Sequence, residues 1–372
     1  MSMPSFPCTK KRSTTISDDA LAAFSSDVAS LHATPIAVLE EAPTPLLFMR
    51  EYVALSKPVL IRNAFPIISL DDIVEKNESV KLNVDITPDG HGDTIREVDG
   101  ERMFVMPFLK EMTLEEFRDG LRKQQMKLKD SNTKSSKDIK RDQNGLLSFS
   151  STDEYAIKQD NCDEILYYSR QNDCLRSELR PLTKLFPPTI PFAEDAFNVK
   201  PDAVNLWIGN EASVSSMHKD HYENIMCVTA GEKVFTVCPP SDALFLKEAN
   251  VPSGTFRMQD NGMWKVDREM LEGEGENETL TTRWVESDVE RLISPVSEAD
   301  RLSYLEEHPN LKYAHPIKIH VKAGDILYLP SLWYHRVTQS CETVAVNYWY
   351  DMRFDSPNWC AFNLFQHVND ET

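Results

Sequence analysis

Residues 215–240 read "SSMHKDHYENIMCVTAGEKVFTVCPP". Two runs with strand composition, "YENIMCVTA" and "EKVFTVCP", meet at Gly231, where a tight reversal needs a permissive backbone. His218, Asp220 and Lys233 stand in or beside these runs, at positions where a sheet protein normally carries valine. Ionisable groups are tolerated inside a fold only when paired, hydrogen-bonded or bound to a metal. Along an extended chain, residues two apart face the same way. His218 and Asp220 are therefore expected to project together, with Lys219 and His221 on the opposite face.

The pattern continues outward. "DAVNLWIG" precedes the quoted stretch; "IKIHVKAG", "DILYLP" and "TVAVNYWY" follow it, with a second glycine joint at "KAGD". Many short strands with tight turns predict a mainly β protein with surrounding helices, a sandwich or barrel of which the cupin jelly roll is one form. The expected division is a loose tail and helix over 1–35 and an α+β part packed on the barrel over 36–200, with a barrel over 201–355 and a C-terminal helix over 356–372. The first helix is "DDALAAFSSDVASL"; a second starts at Thr44-Pro45, and "PVLIRN" is a strand. "KLNVDITPDG" and "ERMFVMP" predict two strands before a helix opened by the capping box Thr113 to Glu116. A polar insert at about 121–164 is expected to be solvated and mobile, and an insert at about 242–312 to be loop plus surface helices.

With 40 Lys and Arg against 59 Asp and Glu, the 372-residue chain carries a formal charge of −19. Such a field opposes direct binding to nucleic acid or an anionic membrane surface and favours a cationic partner, while also serving solubility. Seven scattered cysteines without a CxxC pair point to a reducing compartment, and no run approaches the ~18 apolar residues of a membrane span. The expected location is the cytoplasm, with the nucleus a further setting that the short "TKKR" is too slight to assign.

A histidine and a carboxylate on one face invite a third ligand. The later histidines are His315, His320, His335 and His367; His335 is the best placed, because "YLPSLWYHRV" follows the "AGD" turn and can return beside the first strand. Two histidines and one carboxylate leave open positions on a metal, the pattern of non-haem Fe(II) oxygenases. A bare HxD arises often by chance. Lys233 raises its weight, since a buried ammonium on a strand expected to neighbour the first needs a counter-charge that a bound dicarboxylate could supply.

The order "NLWIG…SSMHKDHYEN…GEKVFTVCPP…AGDILYLPSLWYHRV…VAVNYWYDM" resembles the Jumonji-C family of Fe(II)- and 2-oxoglutarate-dependent oxygenases over roughly residues 36–355. The resemblance implies a double-stranded β-helix core in which His218, Asp220 and His335 hold iron and Lys233 pairs with the distal carboxylate of 2-oxoglutarate. It also implies that Tyr167 and Ser215 offer hydroxyls to that carboxylate, and that Asn224, Asn347 and Trp349 shape the rest of the cosubstrate site. The implied reaction consumes dioxygen and yields succinate and carbon dioxide. Within the family the order is most like that of a lysyl (3S)-hydroxylase acting on developmentally regulated GTP-binding proteins. A histone demethylase or histone-tail peptidase is a second reading, weakened because no cysteine-rich reader module is present. A catalytically silent cupin interaction protein is a third, and four intact site residues argue against it. The tail "SPNWCAFNLFQHVNDET" predicts an amphipathic helix, and relatives that dimerise through this region make a homodimer a further expectation.

Overall fold

Period-two alternation in the sequence becomes two facing sheets in the computed structural model, which describes residues 16–32, 35–130, 146–147, 149, 157–158, 164–271 and 278–371. The barrel strands are β1 Ala203–Gly209, β2 Val214–His218, β3 Tyr222–Ala230, β4 Glu232–Cys238, β5 Ile317–Lys322, β6 Ile326–Leu329, β7 Tyr334–Gln339 and β8 Thr343–Asp351. One sheet contains the run β6-β3-β8-β1 and the other β5-β4-β7-β2, all antiparallel. The chain alternates between the sheets except from β4 to β5, where the long insert leaves the barrel. This is the cupin-like jelly roll, a double-stranded β-helix.

The two sheets meet different surroundings, and their sequences differ accordingly. β8 is buried at every position from Thr343 to Tyr350 because both its faces are covered. Strands Val59–Ile61 and Ala37–Leu39 extend its sheet beyond β6. Phe48 packs on that sheet, meeting the rings of Phe192, Phe197 and Tyr328 edge-on at centroid distances of 5.0, 5.7 and 4.8 Å. Burying one such ring contributes about 1.5–3 kcal/mol. β5, in contrast, alternates buried and exposed along its whole length, so at this edge the outer face of its sheet meets water.

Three expectations change. The insert between β4 and β5 is not only loop and surface helix: it holds strands Glu248–Met258, Met263–Arg268 and Thr281–Val285, along with helices Glu290–Ile293 and Glu298–Glu307. Pro252 and Gly254 disguise the first strand, which exchanges one partner for others around them. Strands Thr94–Val98 and Phe108–Thr113 were also not legible, having short or charged sequences stabilised by pairing with Glu101–Met106 and Lys81–Thr87. Finally, the polar segment expected from residue 121 begins as helix: Leu114–Asp130 is continuous, started by reciprocal bonds between Thr113 and Glu116. Its Gln124 is buried, donating to Asn210 Oδ1 at 2.9 Å and accepting from Leu166 N at 3.1 Å. Most of that insert after residue 130, and the tail before residue 16, lie outside the described residues.

The terminal helices close one end. Asp18–Leu31, capped by Ser17, and Pro357–Glu371 both pack on Phe245, with Phe24 edge-on to Phe365 at 5.3 Å. The C-terminal helix thus buries Phe362 against its own core.

The joint between β3 and β4 is the tightest in the barrel. Gly231 has φ +74°, and a Cβ there would lie 2.3 Å from the Glu342 carbonyl oxygen. Gly100 shares a positive φ, +80°, but has open space around it. Gly100→Ala should lower unfolding free energy by about 1 kcal/mol from backbone strain alone, and Gly231→Ala by at least about 2 kcal/mol. Urea unfolding midpoints of the two variants check the difference; equal losses would contradict the packing argument.

Candidate metal and cosubstrate site

β2 and β7 are antiparallel neighbours, and His218 lies directly across from His335. The register reaches that pairing through an irregularity. Ser215 faces Val337 and His218 faces His335, so β2 spends one more residue than β7 over the same span. This is a β-bulge, which locally bends a strand and re-aims its side chains. Met217 packs into an apolar cluster, and His218 turns to the histidine opposite, with ring centroids 4.2 Å apart. Asp220 lies beyond the end of β2, in a connection pinned by the Leu332 N–H donating to its carbonyl at 2.9 Å. The expected same-strand alternation is therefore not what brings the pair together: a strand end and the turn after it do so. Asp220 Oδ2 stands 3.6 Å from His335 Nε2, and one ligand atom from each of the three residues lies within 4.8 Å of the others.

The second nitrogen of each ring is also committed. His218 Nδ1 is 2.7 Å from the Ser216 carbonyl and His335 Nδ1 is 2.9 Å from the Trp333 carbonyl. A carbonyl only accepts, so each Nδ1 carries a proton and each Nε2 keeps its lone pair for a ligand. Burial, reinforced by nearby His218, pushes the His335 imidazolium pKa down to about 4, leaving the neutral form that can donate to a metal. Two imidazole nitrogens and a carboxylate on one side of a cavity fit a divalent iron ion with open positions.

Lys233 approaches from β4, which does not adjoin β2 as expected; the His335 strand, β7, runs between them. Its residue is 2% exposed. Nζ donates to Tyr167 Oη at 3.2 Å and, with the Gln339 amide turned to satisfy its neighbours, to Gln339 Oε1 at 3.2 Å. The Tyr167 and Trp207 rings flank it at 5.5 and 5.9 Å. Among the described residues no carboxylate lies within ion-pairing distance of this ammonium. A buried cation served only by neutral groups is a strong electrostatic demand for an anion.

Tyr167, Ser215, Asn224, Asn347 and Trp349 line the same cavity as Lys233 and the three ligand-bearing residues. It encloses about 820 Å³, its open mouth included. Asn347 is oriented by two bonds, accepting from Trp207 Nε1 at 3.0 Å and donating to Asn224 Oδ1 at 3.3 Å. Trp349 stacks flat on Tyr222, and its buried Nε1 has no hydrogen-bond partner among the described residues. Sequence reasoning did not anticipate Trp207, Gln339, Asp85, Asp93 or Trp284 in this neighbourhood. Only Trp207 had a signal, its place in "NLWIG"; Asp85, Asp93 and Trp284 arrive from distant segments by tertiary pairing.

A jelly roll carrying this constellation has matches among known proteins. A family model described as a cupin-like domain matches residues 45–356, and the chain belongs to the cupin-like JmjC oxygenase family. It is 32% identical over 347 residues, 91% of this chain and 90% of the relative, to the bifunctional peptidase and (3S)-lysyl hydroxylase JMJD7 of Homo sapiens. JmjC domain-containing protein E of Dictyostelium discoideum is 34% identical over 84% of this chain and 83% of its own. Lysine-specific demethylase JMJ32 of Arabidopsis thaliana is 31% identical, the shares being 90% and 87%. Members of this family use Fe(II) and 2-oxoglutarate.

The isolated Lys233 charge has a measurable cost. Lys233→Met keeps the side-chain volume and removes the ammonium, so it should raise unfolding free energy by about 1–3 kcal/mol. Thermal unfolding of variant and parent reads the effect, and a destabilised variant would refute the charge argument.

Proposed function

We propose that the protein is a 2-oxoglutarate-dependent lysyl hydroxylase acting on a protein substrate. The observation that carries the reading is the buried, anion-seeking Lys233 in the same cavity as the His218–Asp220–His335 set. In this reading His218, Asp220 and His335 hold Fe(II). Lys233 receives the distal carboxylate of 2-oxoglutarate, with the Tyr167 and Ser215 hydroxyls beside it. Bound together, iron and 2-oxoglutarate supply the oxidative chemistry: dioxygen is consumed, succinate and carbon dioxide leave, and oxygen enters a substrate C–H bond.

The chain's own contribution is placement. Nδ1–H bonds to the Ser216 and Trp333 carbonyls fix both imidazole rings. The Asn347–Asn224 pair and Trp349 wall the remainder of the cosubstrate site, and the Trp207 ring flanks Lys233. A dry site strengthens the bond between Lys233 and a bound carboxylate.

Lysine as the target is supported by charge. Asp85 and Asp93 line both the cavity and the adjoining open groove, which puts two acidic side chains where a cationic side chain would enter. The net charge of −19 has the same sign. The human relative is named a (3S)-lysyl hydroxylase, and a GTP-binding protein is the acceptor we propose from the resemblance.

Purified protein given Fe(II) and 2-oxoglutarate should release succinate in step with hydroxylation of a lysine peptide from such a GTPase, and not with methylated histone tails. Asp220→Ala should lose at least about 10²-fold in turnover, each tenfold being 1.36 kcal/mol of barrier. Formaldehyde from methylated tails without hydroxylysine would turn the assignment to demethylation.

Burial pushes the Asp85 carboxyl up to about 6; Asp93 adds to the rise, while bonds from Ser169 oppose it. An ammonium prefers the ionised carboxylate, so the KM for a lysine peptide should fall as pH rises from about 5 to about 7. Asp85→Asn should flatten that profile. An unchanged profile in the variant would remove Asp85 from substrate binding.

A further inference from the structure

Glu248 opens the insert strand Glu248–Met258, and its side chain is 2% exposed. Its carboxylate collects four donors. Lys219 Nζ and Tyr334 Oη reach Oε1 at 2.6 and 2.7 Å; Arg283 Nε and Gln366 Nε2 reach Oε2 at 2.6 and 3.0 Å. Three of these donors are sequence neighbours of site residues. Lys219 separates His218 from Asp220, Tyr334 precedes His335, and Arg283 precedes Trp284. Neighbours in extended chain point to opposite faces, so the side chains that turn away from the metal-binding face converge behind it on a single anion.

Trp284 acts from the cavity side of the same insert. Its indole lies parallel to the His218 imidazole, with 6° between planes and 5.6 Å between centroids. Its Nε1–H donates to Ser216 Oγ at 2.8 Å. The Ser216 carbonyl is the group that accepts from His218 Nδ1, so one indole braces both the ring and the backbone that orients it. Ser216 Oγ in turn donates to the Asp93 carbonyl, closing the chain of contacts.

We propose that Glu248 and Trp284 are positioning residues of the metal centre: the insert between β4 and β5 clamps the ligand set from behind and from the side. The inference rests on the reading of His218, Asp220 and His335 as metal ligands. Glu248 does not line the cavity and so acts through Lys219 and Tyr334. Its competitor is a purely architectural role, in which Glu248 serves to hold the C-terminal helix through Gln366.

Cobalt(II) titration of the full-length protein separates the two, read by the visible absorption of bound cobalt and its dissociation constant, with far-ultraviolet circular dichroism reporting the fold. Groups that orient metal ligands typically matter at the level of about 10–100-fold in affinity, and Glu248→Gln and Trp284→Leu should each weaken cobalt binding by about tenfold or more and alter the spectrum. Trp284→Phe keeps a ring over His218 but loses the bond to Ser216, and should fall between Trp284→Leu and the parent. Asn369 tethers the same C-terminal helix through the Ala243 and Leu246 carbonyls without touching Glu248, so Asn369→Ala should bind like the parent. Folded Glu248→Gln and Trp284→Leu proteins with the parent's affinity and spectrum would overturn the inference. Should Glu248→Gln fail to fold, the Trp284 pair decides alone. A parent that binds no cobalt would defeat the metal reading itself, an outcome distinct from variants that bind as well as the parent.

Discussion

The pairing of β2 with β7 is the contact on which the site depends, because it sets His218 opposite His335. Side chains alternate along a strand, so a slip of one residue would send one imidazole to the far face and leave the other alone. Two features hold the register. On the far side of β7, β4 pairs through an unbroken ladder from Lys233–Gln339 to Cys238–Tyr334, and on the near side the bulge in β2 absorbs the one extra residue. The same ladder places Lys233 beside Gln339, so the buried ammonium and the facing histidine pair belong to one lattice of backbone bonds.

Much of this was legible in residue order, and the limits have physical causes. β5 alternates so regularly that its period could be read directly, and the glycine joints after β3 and β5 have the positive φ that their sequences require. His218, Asp220, His335 and Lys233 stood out because charge in an apolar run is costly. The bulge left no trace in the sequence, and alternation alone therefore assigned the wrong local geometry to Asp220 even while grouping it with His218. Trp284 was invisible for another reason: its contact with His218 spans a long insert, and the strand carrying it is secured by pairing with Glu248–Pro252 and not by local propensity.

The two halves of the cavity wall answer to different demands. Around Lys233 the groups are neutral and aromatic, which leaves the ammonium's charge available to a ligand. Toward the open groove the walls carry Asp85 and Asp93, partly offset by Arg170, whose guanidinium stands 4.0 Å from Asp85. Neutral, aromatic surroundings at one end and acidic side chains at the other give the two ends of the cavity different chemical character.

β5 ends its sheet, and a free strand margin is a template onto which foreign chains can add. Its outward positions are Lys318, His320 and Lys322, and Lys318 is drawn to Glu290 and Ser294 on the insert. Exposed Lys318, His320 and Lys322 put basic and imidazole side chains along this edge, a pattern that discourages intermolecular strand addition. The insert that carries Glu248 and Trp284 therefore also supplies Glu290 and Ser294 to the barrel rim, so a change in its length would be felt at that edge as well as behind the site.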